Sequence, residues 1–187
     1  MLANLLNERP ELRQPTNKVT IVPHGTGALG FAEMGSPEGD TYLYTKSQLE
    51  ARLDHAMGGL VAERMYYGEW STGPGSDLQY ATRIARTMVQ QLGMADGLGF
   101  PQTGADPSDP FGRQPFGEAV GSQVHEATKR IISESYQRVL KRLTDNKDRL
   151  DAMSAALMEK ETLIDTDIDQ YAFGELPKKP EGEAPKN

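Results

Sequence analysis

Apolar residues recur every three or four positions through most of this chain, the spacing that places them on one face of an α-helix. The longest such stretch covers residues 118–143, followed by 147–160 and a short segment at 167–172. Asp145-Asn146 lies between the first two and predicts a tight joint between helices. The inward positions predicted for the long helix are Val120, Val124, Ala127, Ile131, Val139 and Leu143.

Two more helices are predicted earlier in the chain, each opened by a capping box that satisfies free backbone amides at the helix start. The first box is Thr45 to Gln48, with Gly68 as the terminator, and the second is Ser76 to Gln79, with Gly93 as the terminator. The predicted buried stripes are Leu49, Leu53, Met57, Leu60, Val61 and Met65 in the first helix, and Leu78, Ala81, Ala85, Met88, Val89 and Leu92 in the second. The pair Gly58-Gly59 predicts that another backbone comes close to the first helix.

Near the amino terminus the pattern changes to short β-branched runs, which are typical of strands. Residues 17–23 and 28–34 are the two candidates, joined through Gly25-Thr-Gly27. The predicted fold is therefore mainly α, a helical bundle with a small β-hairpin near the amino terminus. By length the chain is one domain, residues 1–173, with a Pro- and Gly-rich loop insertion at 100–117 and a polar, Pro-rich tail at 174–187.

Composition excludes several classes of function. The net charge is −7, and an acidic balance argues against non-specific binding to nucleic acid or to anionic membranes. The absence of cysteine excludes disulfides, thiolate metal sites and a catalytic thiol. The sequence has no run of about eighteen apolar residues, so we expect no transmembrane segment. The first residues are too polar for a signal peptide.

One string approaches a zinc-protease motif, which is H-E-x-x-H on a helix because two imidazoles four residues apart can share a metal. The string is His125-Glu-Ala-Thr-Lys129, and its last position is lysine. One imidazole cannot make a tight zinc site, so we interpret this string as an ordinary turn of a surface helix. His24 and His55 show no metal-ligand spacing either.

The stretch Gly25–Gly30, GTGALG, matches the spacing of a dinucleotide-binding loop. Such a loop must lead into a long helix. The residues that follow it do not begin one, so no dinucleotide site is predicted, and no cofactor is expected.

Four stretches together, in order and spacing, resemble one family: KVTIVPHGTGALGF, YTKSQLEARLDHAMGGLVAERMYYG, STGPGSDLQYATRIARTMVQQLGM and LTDNKDRLDAMSAALMEKETLI. The chain resembles the peptidase domain of FtsH-type ATP-dependent zinc metalloproteases, and most closely the mitochondrial inner-membrane, i-AAA-like branch. The resemblance covers residues from about 15 to about 170. It implies the helical fold of that peptidase domain.

In that family two histidines of an H-E-x-x-H helix and a distal Asp hold zinc, and the Glu of the motif is the general base. The resemblance matches the distal Asp to Asp77. This residue also falls at a helix start, where the helix dipole favours an anion by about 0.3–1 kcal/mol. In relatives the H-E-x-x-H helix lies just upstream of the KVTI strand, and here MLANLLNERPELRQ resembles the tail of that helix.

This sequence therefore differs from the family in the residues that bind zinc and catalyse the reaction. The histidine pair, the general base, the ATPase module and the membrane anchor have no counterpart in these residues, and His24 stands where relatives carry an arginine. The loop 100–117 matches nothing in the family. We expect no catalytic residue and no bound metal, with Asp77 as a vestigial ligand.

The resulting hypothesis is a catalytically inactive, protease-derived domain that serves as a structural or accessory subunit of a larger organellar complex at a mitochondrial membrane. A chloroplast is the alternative location. Relatives form hexameric rings through this domain, so FtsH-type paralogues are among the expected protein partners. One alternative is a fragment or subunit of an active ATP-dependent zinc metalloprotease, with the H-E-x-x-H segment upstream or on another chain. Another is an adaptor that binds unfolded proteins without cutting them.

Overall fold

The computed structural model describes residues 1–23, 30–35, 43–98 and 118–176. The described residues are mainly helical, which confirms the predicted fold class. Their elements are α1 Leu2–Leu5, the 3-10 turn Pro10–Leu12, β1 Thr16–Thr20, β2 Phe31–Met34, α2 Lys46–Tyr67, α3 Gly75–Gln90, α4 Glu118–Asp145, α5 Lys147–Lys160, β3 Thr162–Ile164 and α6 Asp165–Phe173.

The chain divides into two compact units. The first unit consists of Met1 and residues 3–13 and 39–145, and the second of Leu2 and residues 14–38 and 146–187. Most of α1, the 3-10 turn and α2 to α4 therefore lie in the first unit, while the strands, α5 and α6 lie in the second. The predicted domain limits stay a prediction. The predicted loop at 100–117 and the tail from residue 177 onwards lie outside the described residues.

The start and the end of α2 are both as predicted. Gln48 donates its backbone N–H to Thr45 Oγ1 over 3.3 Å, and Thr45 donates its own N–H to Gln48 Oε1 over 2.9 Å. Gly68 ends the helix in the left-handed region at φ +74°, where its N–H reaches the Arg64 carbonyl oxygen at 3.0 Å. Glycine suits this position because it has no Cβ to clash there.

The core of the first unit forms where α2 packs on α3 and α4, and α3 packs on α4. Most predicted inward residues are buried, but the stripe predicted for α3 is wrong at both ends. Leu78 and Leu92 are exposed, and Ile84 is buried in their place. The reason is the extent of the helix: Leu92 lies beyond its last residue, and Leu78 lies in its first turn.

The second predicted capping box does not form. The helix α3 already begins at Gly75, its N-cap is Pro74, and no side chain caps it. A backbone turn precedes it, in which Gly75 donates its N–H to the Thr72 carbonyl oxygen over 3.1 Å. Ser76 therefore lies inside the first helical turn, where its side chain cannot act as the cap.

The second unit contains a three-stranded antiparallel sheet in the order β2-β1-β3. The predicted pairing of the first two strands is confirmed, while its turn at residues 24–29 lies outside the described part of the chain. The third strand is a correction, because β1 is central and pairs Val19 with Leu163. The hydroxyl groups of Thr20 and Thr162 also form a hydrogen bond, with 2.9 Å between their oxygen atoms. A three-residue strand is too short to show a periodic signal.

The helices α5 and α6 pack on this sheet. The chain passes from α4 to α5 at Asp145-Asn146, where the sequence predicted a joint between helices. Leu163 and Ile168 are the largest fully buried side chains of this unit. Within the described residues, no helix has both the length and the apolar character that crossing a bilayer requires.

Candidate functional site

Asp77 lies in the first turn of α3, and its side chain is exposed. Its place at a helix start is the one predicted from the sequence. Unpaired backbone N–H groups at this end of a helix carry partial positive charge, which favours a carboxylate there. Because the side chain is exposed, a cation can reach this carboxylate from solvent.

The beginning of α1 lies within electrostatic reach of Asp77. Burial lowers the pKa of the Met1 amino group to about 6, and the negative charge of Asp77 acts in the opposite direction. Gly58 borders the same place, because a Cβ built on it would lie 3.8 Å from the Met1 nitrogen. The close approach predicted for Gly58-Gly59 is thus seen at Gly58 only, since a Cβ on Gly59 would meet nothing within 4 Å.

His55 is a partly buried imidazole on α2. Burial lowers its pKa to about 4, and the charge of the Met1 amino group lowers it further. Its Nδ1 atom is buried and has no hydrogen-bond partner among the described residues. The folded chain therefore keeps His55 neutral at physiological pH.

Acidification from pH 7 to pH 5 is expected to lower the free energy of unfolding by about 2 kcal/mol through His55. In the unfolded chain His55 binds its proton near pH 6.5, whereas in the folded chain it does so only near pH 4. The unfolded state thus holds more protons in this window, and stability falls as the pH falls. Urea denaturation of the wild type and of His55→Asn from pH 4 to pH 8 measures the difference.

The exposed His125 provides the control, because His125→Asn should keep the pH slope of the wild type. The Met1 amino group titrates in every variant, so the comparison measures His55 together with its coupling to that group. Parallel curves for His55→Asn and the wild type would show that His55 is protonated equally in both states.

A buried ion cluster is centred on Asp54, the residue before His55 on α2. The carboxylate of Asp54 accepts hydrogen bonds from Ser135, Arg138 and Arg142, all on α4, over distances of 2.7–3.2 Å. Arg142 also donates to the Ala3 carbonyl oxygen of α1 over 3.3 Å. The cluster thereby joins three helices of the first unit. One sequence feature pointed to this cluster: Asp54 directly follows Leu53, a residue of the predicted buried stripe.

The loop between α2 and α3 is held by Glu63, which the sequence analysis missed. Its carboxylate accepts a hydrogen bond from the Ser71 backbone N–H at 2.7 Å and from the Ser71 hydroxyl at 3.1 Å. The available signal was weak, because an acid near a helix end followed by a serine occurs in many surface loops. This loop leads directly into the helical turn that carries Asp77.

The two described histidines lie on different helices. His55 is partly buried on α2, His125 is exposed on α4, and His24 lies outside the described residues. In the described ranges, no group of three or more His, Cys, Asp or Glu side chains is arranged to hold a metal ion. Zinc in a catalytic site needs three protein ligands. The described residues therefore contain no complete ligand set of this kind.

Comparison with known proteins places the chain in a family. The sequence profile of peptidase family M41 matches residues 5–171. Three similar proteins are ATP-dependent zinc metalloproteases FtsH. The one from Rhodothermus marinus is 39% identical over 82% of this chain, and the one from Kosmotoga olearia is 37% identical over 82%. FtsH 4 from Sorangium cellulosum is 34% identical over 96%.

The match covers only part of those proteins. This chain spans 22%, 25% and 28% of the lengths of the three relatives, respectively. The likeness is thus to the peptidase domain of an FtsH-type protein, and it agrees with the mainly helical fold. With the family profile matched over nearly the whole sequence, the chain belongs to peptidase family M41.

Proposed function

We propose that this chain forms the body of the peptidase domain of an FtsH-type zinc metalloprotease and contributes Asp77 as its acidic zinc ligand. The two imidazole ligands and the general base come from residues outside these 187. The observation that carries the proposal is the match to peptidase family M41 over residues 5–171, with the Asp77 carboxylate exposed in the first turn of α3. By the resemblance, the segment that contains α1 corresponds to the tail of the family's H-E-x-x-H helix.

The chain's own residues supply position and charge in this proposal. The first turn of α3 presents Asp77 at a helix start, where the dipole stabilises the ionised carboxylate. Packing of α2 on α3 and α4 fixes that helix in the first unit. A zinc ion bound there would supply the Lewis acid that activates water and polarises the peptide carbonyl.

A second candidate is the catalytically inactive, accessory subunit of a larger mitochondrial complex. One observation favours it: the string closest to H-E-x-x-H in these residues is His125-Glu-Ala-Thr-Lys129, with lysine in place of the second imidazole and His125 exposed on α4. Its partners would be other protein subunits, FtsH-type paralogues among them. Mass spectrometry of co-purifying proteins, together with a fluorescent fusion for location, tests this candidate.

Zinc content tests whether Asp77 can act as the acidic zinc ligand that the first candidate requires. We define the extended chain as this sequence with the H-E-x-x-H segment of an active FtsH-type relative joined ahead of Met1. We expect about one zinc per extended chain, and none bound tightly by the 187-residue chain alone. Asp77→Asn should remove the zinc while changing the free energy of unfolding of the 187-residue chain by under about 1 kcal/mol.

The matched control is Asp148→Asn, which neutralises an acid in the first turn of another helix, α5. This variant of the extended chain should keep its zinc. Retention of zinc by Asp77→Asn would contradict the ligand role of Asp77. Failure of every extended chain to bind zinc would favour the inactive accessory subunit.

A further inference from the structure

We infer that Asp96-Gly97, in the turn that follows α3, is a site of spontaneous backbone modification, at which Asp96 cyclises onto the Gly97 nitrogen and reopens as isoaspartate. Lys46 of α2 and Arg130 of α4 restrain this reaction. All four residues lie in the first unit. The chemistry involves neither Asp77 nor a metal, so it is independent of the proposed function.

The dipeptide Asp96-Gly97 is the one Asp-Gly pair in the sequence, which contains no Asn-Gly pair. For the ring to close, the amide nitrogen of the next residue must reach the side-chain carboxyl carbon. A Cβ on that next residue hinders the approach, whereas glycine has no Cβ and the greatest backbone freedom. The sequence therefore makes this pair the most reactive of its kind in the chain.

The structure leaves both reacting groups accessible. The Asp96 side chain is 91% exposed. Gly97 lies in the left-handed region at φ +82°, and a Cβ built on it would meet nothing within 4 Å among the described residues. None of the described residues accepts a hydrogen bond from the Gly97 N–H. The nitrogen is thus free to react, and there is space beside it for the ring.

Two cationic side chains hold the reacting groups in place. Lys46 donates from Nζ to both carboxylate oxygens of Asp96, over 3.2 Å to Oδ1 and 3.0 Å to Oδ2. Arg130 donates from Nη2 to the Asp96 carbonyl oxygen over 2.9 Å. That carbonyl belongs to the same peptide unit as the Gly97 nitrogen. Lys46 therefore fixes the group that is attacked, and Arg130 fixes the plane of the group that attacks.

The reaction balances without an oxidant, a reductant or a cofactor. The Gly97 nitrogen bonds to Cγ of the protonated Asp96 carboxyl group, and the amide proton and the carboxyl hydroxyl leave together as water. The product is a five-membered succinimide. Water then opens the ring at one of its two carbonyls. Opening at Cγ restores aspartate, and opening at the backbone carbonyl gives isoaspartate, in which the chain continues through Cβ and Cγ.

Isoaspartate changes the turn without changing the mass or the net charge. The backbone becomes one carbon longer, and the carbonyl oxygen that Arg130 holds becomes part of a free α-carboxylate. Such a carboxylate is the methyl acceptor of protein isoaspartyl methyltransferases. This class of enzyme is therefore the partner that would recognise the modified chain.

The simpler interpretation is that Lys46 and Arg130 hold the turn so firmly that the ring never closes in the folded chain. Exposed ion pairs are weak and are screened by salt, so we expect them to slow the reaction and not to prevent it. The two interpretations differ in whether folded protein reacts.

The first experiment incubates the folded 187-residue chain for weeks at neutral pH in water enriched in heavy oxygen. Each ring opening adds a labelled oxygen to Asp96, whichever product forms. Peptide mass spectrometry should find this label at Asp96, and an isoaspartyl methyltransferase should transfer increasing amounts of methyl group. Asp148 is the internal control and should stay unlabelled, because it lies within α5. An unlabelled Asp96 in the folded chain would overturn the inference.

The second experiment compares labelling rates between variants. Lys46→Gln and Arg130→Gln should each raise the rate about threefold, as the loss of one exposed charged contact allows. Lys147→Gln is the matched control, because Lys147 is likewise the first residue of a helix and contacts an acid, Asp151, at 2.8 Å. It should leave the rate at Asp96 unchanged. Asp96→Glu would require a six-membered ring and should abolish labelling at this position.

Equal rates in the wild type and in both variants would overturn the restraint by Lys46 and Arg130. Circular dichroism checks that the variants fold, as their exposed side chains lead us to expect. A third measurement needs no variant: added salt should speed labelling of the wild type, because it screens the ion pair between Lys46 and Asp96. A rate that does not respond to salt would count against the restraint by Lys46.

Discussion

Replacing Asp54 by alanine is expected to lower the free energy of unfolding by about 3 kcal/mol. The side chain of Asp54 is 2% exposed, and its loss leaves Arg138 and Arg142 without their shared carboxylate. It also leaves the buried Ser135 hydroxyl without its acceptor at 2.7 Å. Removing one partner from a buried ion pair costs much because the remaining charges stay desolvated.

The size of this loss depends on how far the arginines can reach water. Their side chains are 33% exposed for Arg138 and 16% exposed for Arg142, so the expected loss lies at the lower end for buried ion pairs. Burial lowers the pKa of Arg138, but the hydrogen bond to Asp54 and its charge outweigh burial and raise that pKa above its usual value. In the variant the Arg138 guanidinium loses this compensation for its burial.

Urea denaturation, followed by circular dichroism, measures the effect of Asp54→Ala. Glu50→Ala, about one turn earlier on α2 and less buried, is the control and should cost under about 1 kcal/mol. Adding Arg138→Met to Asp54→Ala should restore part of the stability, since it removes one unpaired charge. A loss no larger than that of the control would show that the cluster contributes little to stability.

Leu163→Ala is expected to lower the free energy of unfolding of the second unit by about 3 kcal/mol. Leu163 is fully buried in β3, where it stands opposite Val19 of the central strand. Alanine removes apolar contacts from the core and leaves a cavity that the surroundings fill only in part.

Its neighbour is a matched control on the same strand. Ile164 is 50% exposed, and Ile164→Ala should change stability by no more than about 0.5 kcal/mol. The measurement is again urea denaturation, combined with hydrogen exchange at the amides of β1. Equal effects of the two substitutions would mean that β3 is not packed as described.

The helices could be predicted well because their signals are local. The capping box at Thr45 and the terminator Gly68 were both in the sequence, and both are present in α2. The start of α3 could not be predicted in the same way, because a backbone turn precedes the helix and no side chain caps it. The local pattern at Ser76 favoured a cap that the preceding loop makes unnecessary.

The candidate site was predictable in part. The resemblance singled out Asp77, and the periodic pattern placed it at a helix start, which the structure shows. Glu63 and the neutral state of His55 could not be foreseen, because each depends on what lies opposite the side chain. Burial and partners are properties of packing, and periodicity reports only which face of a helix is apolar.

By itself, the sequence determined the fold class, the family and, to within a few residues, the limits of α2, α4 and α5. Caps, glycines and the 3.6-residue period act over a few neighbouring residues, so one segment suffices to recognise them. Only the tertiary structure decided that β3 completes the sheet. It also decided that Asp54 binds Arg138 and Arg142, which follow it by 84 and 88 residues. Such pairings depend on which distant segments fold against each other, and no local pattern encodes that choice.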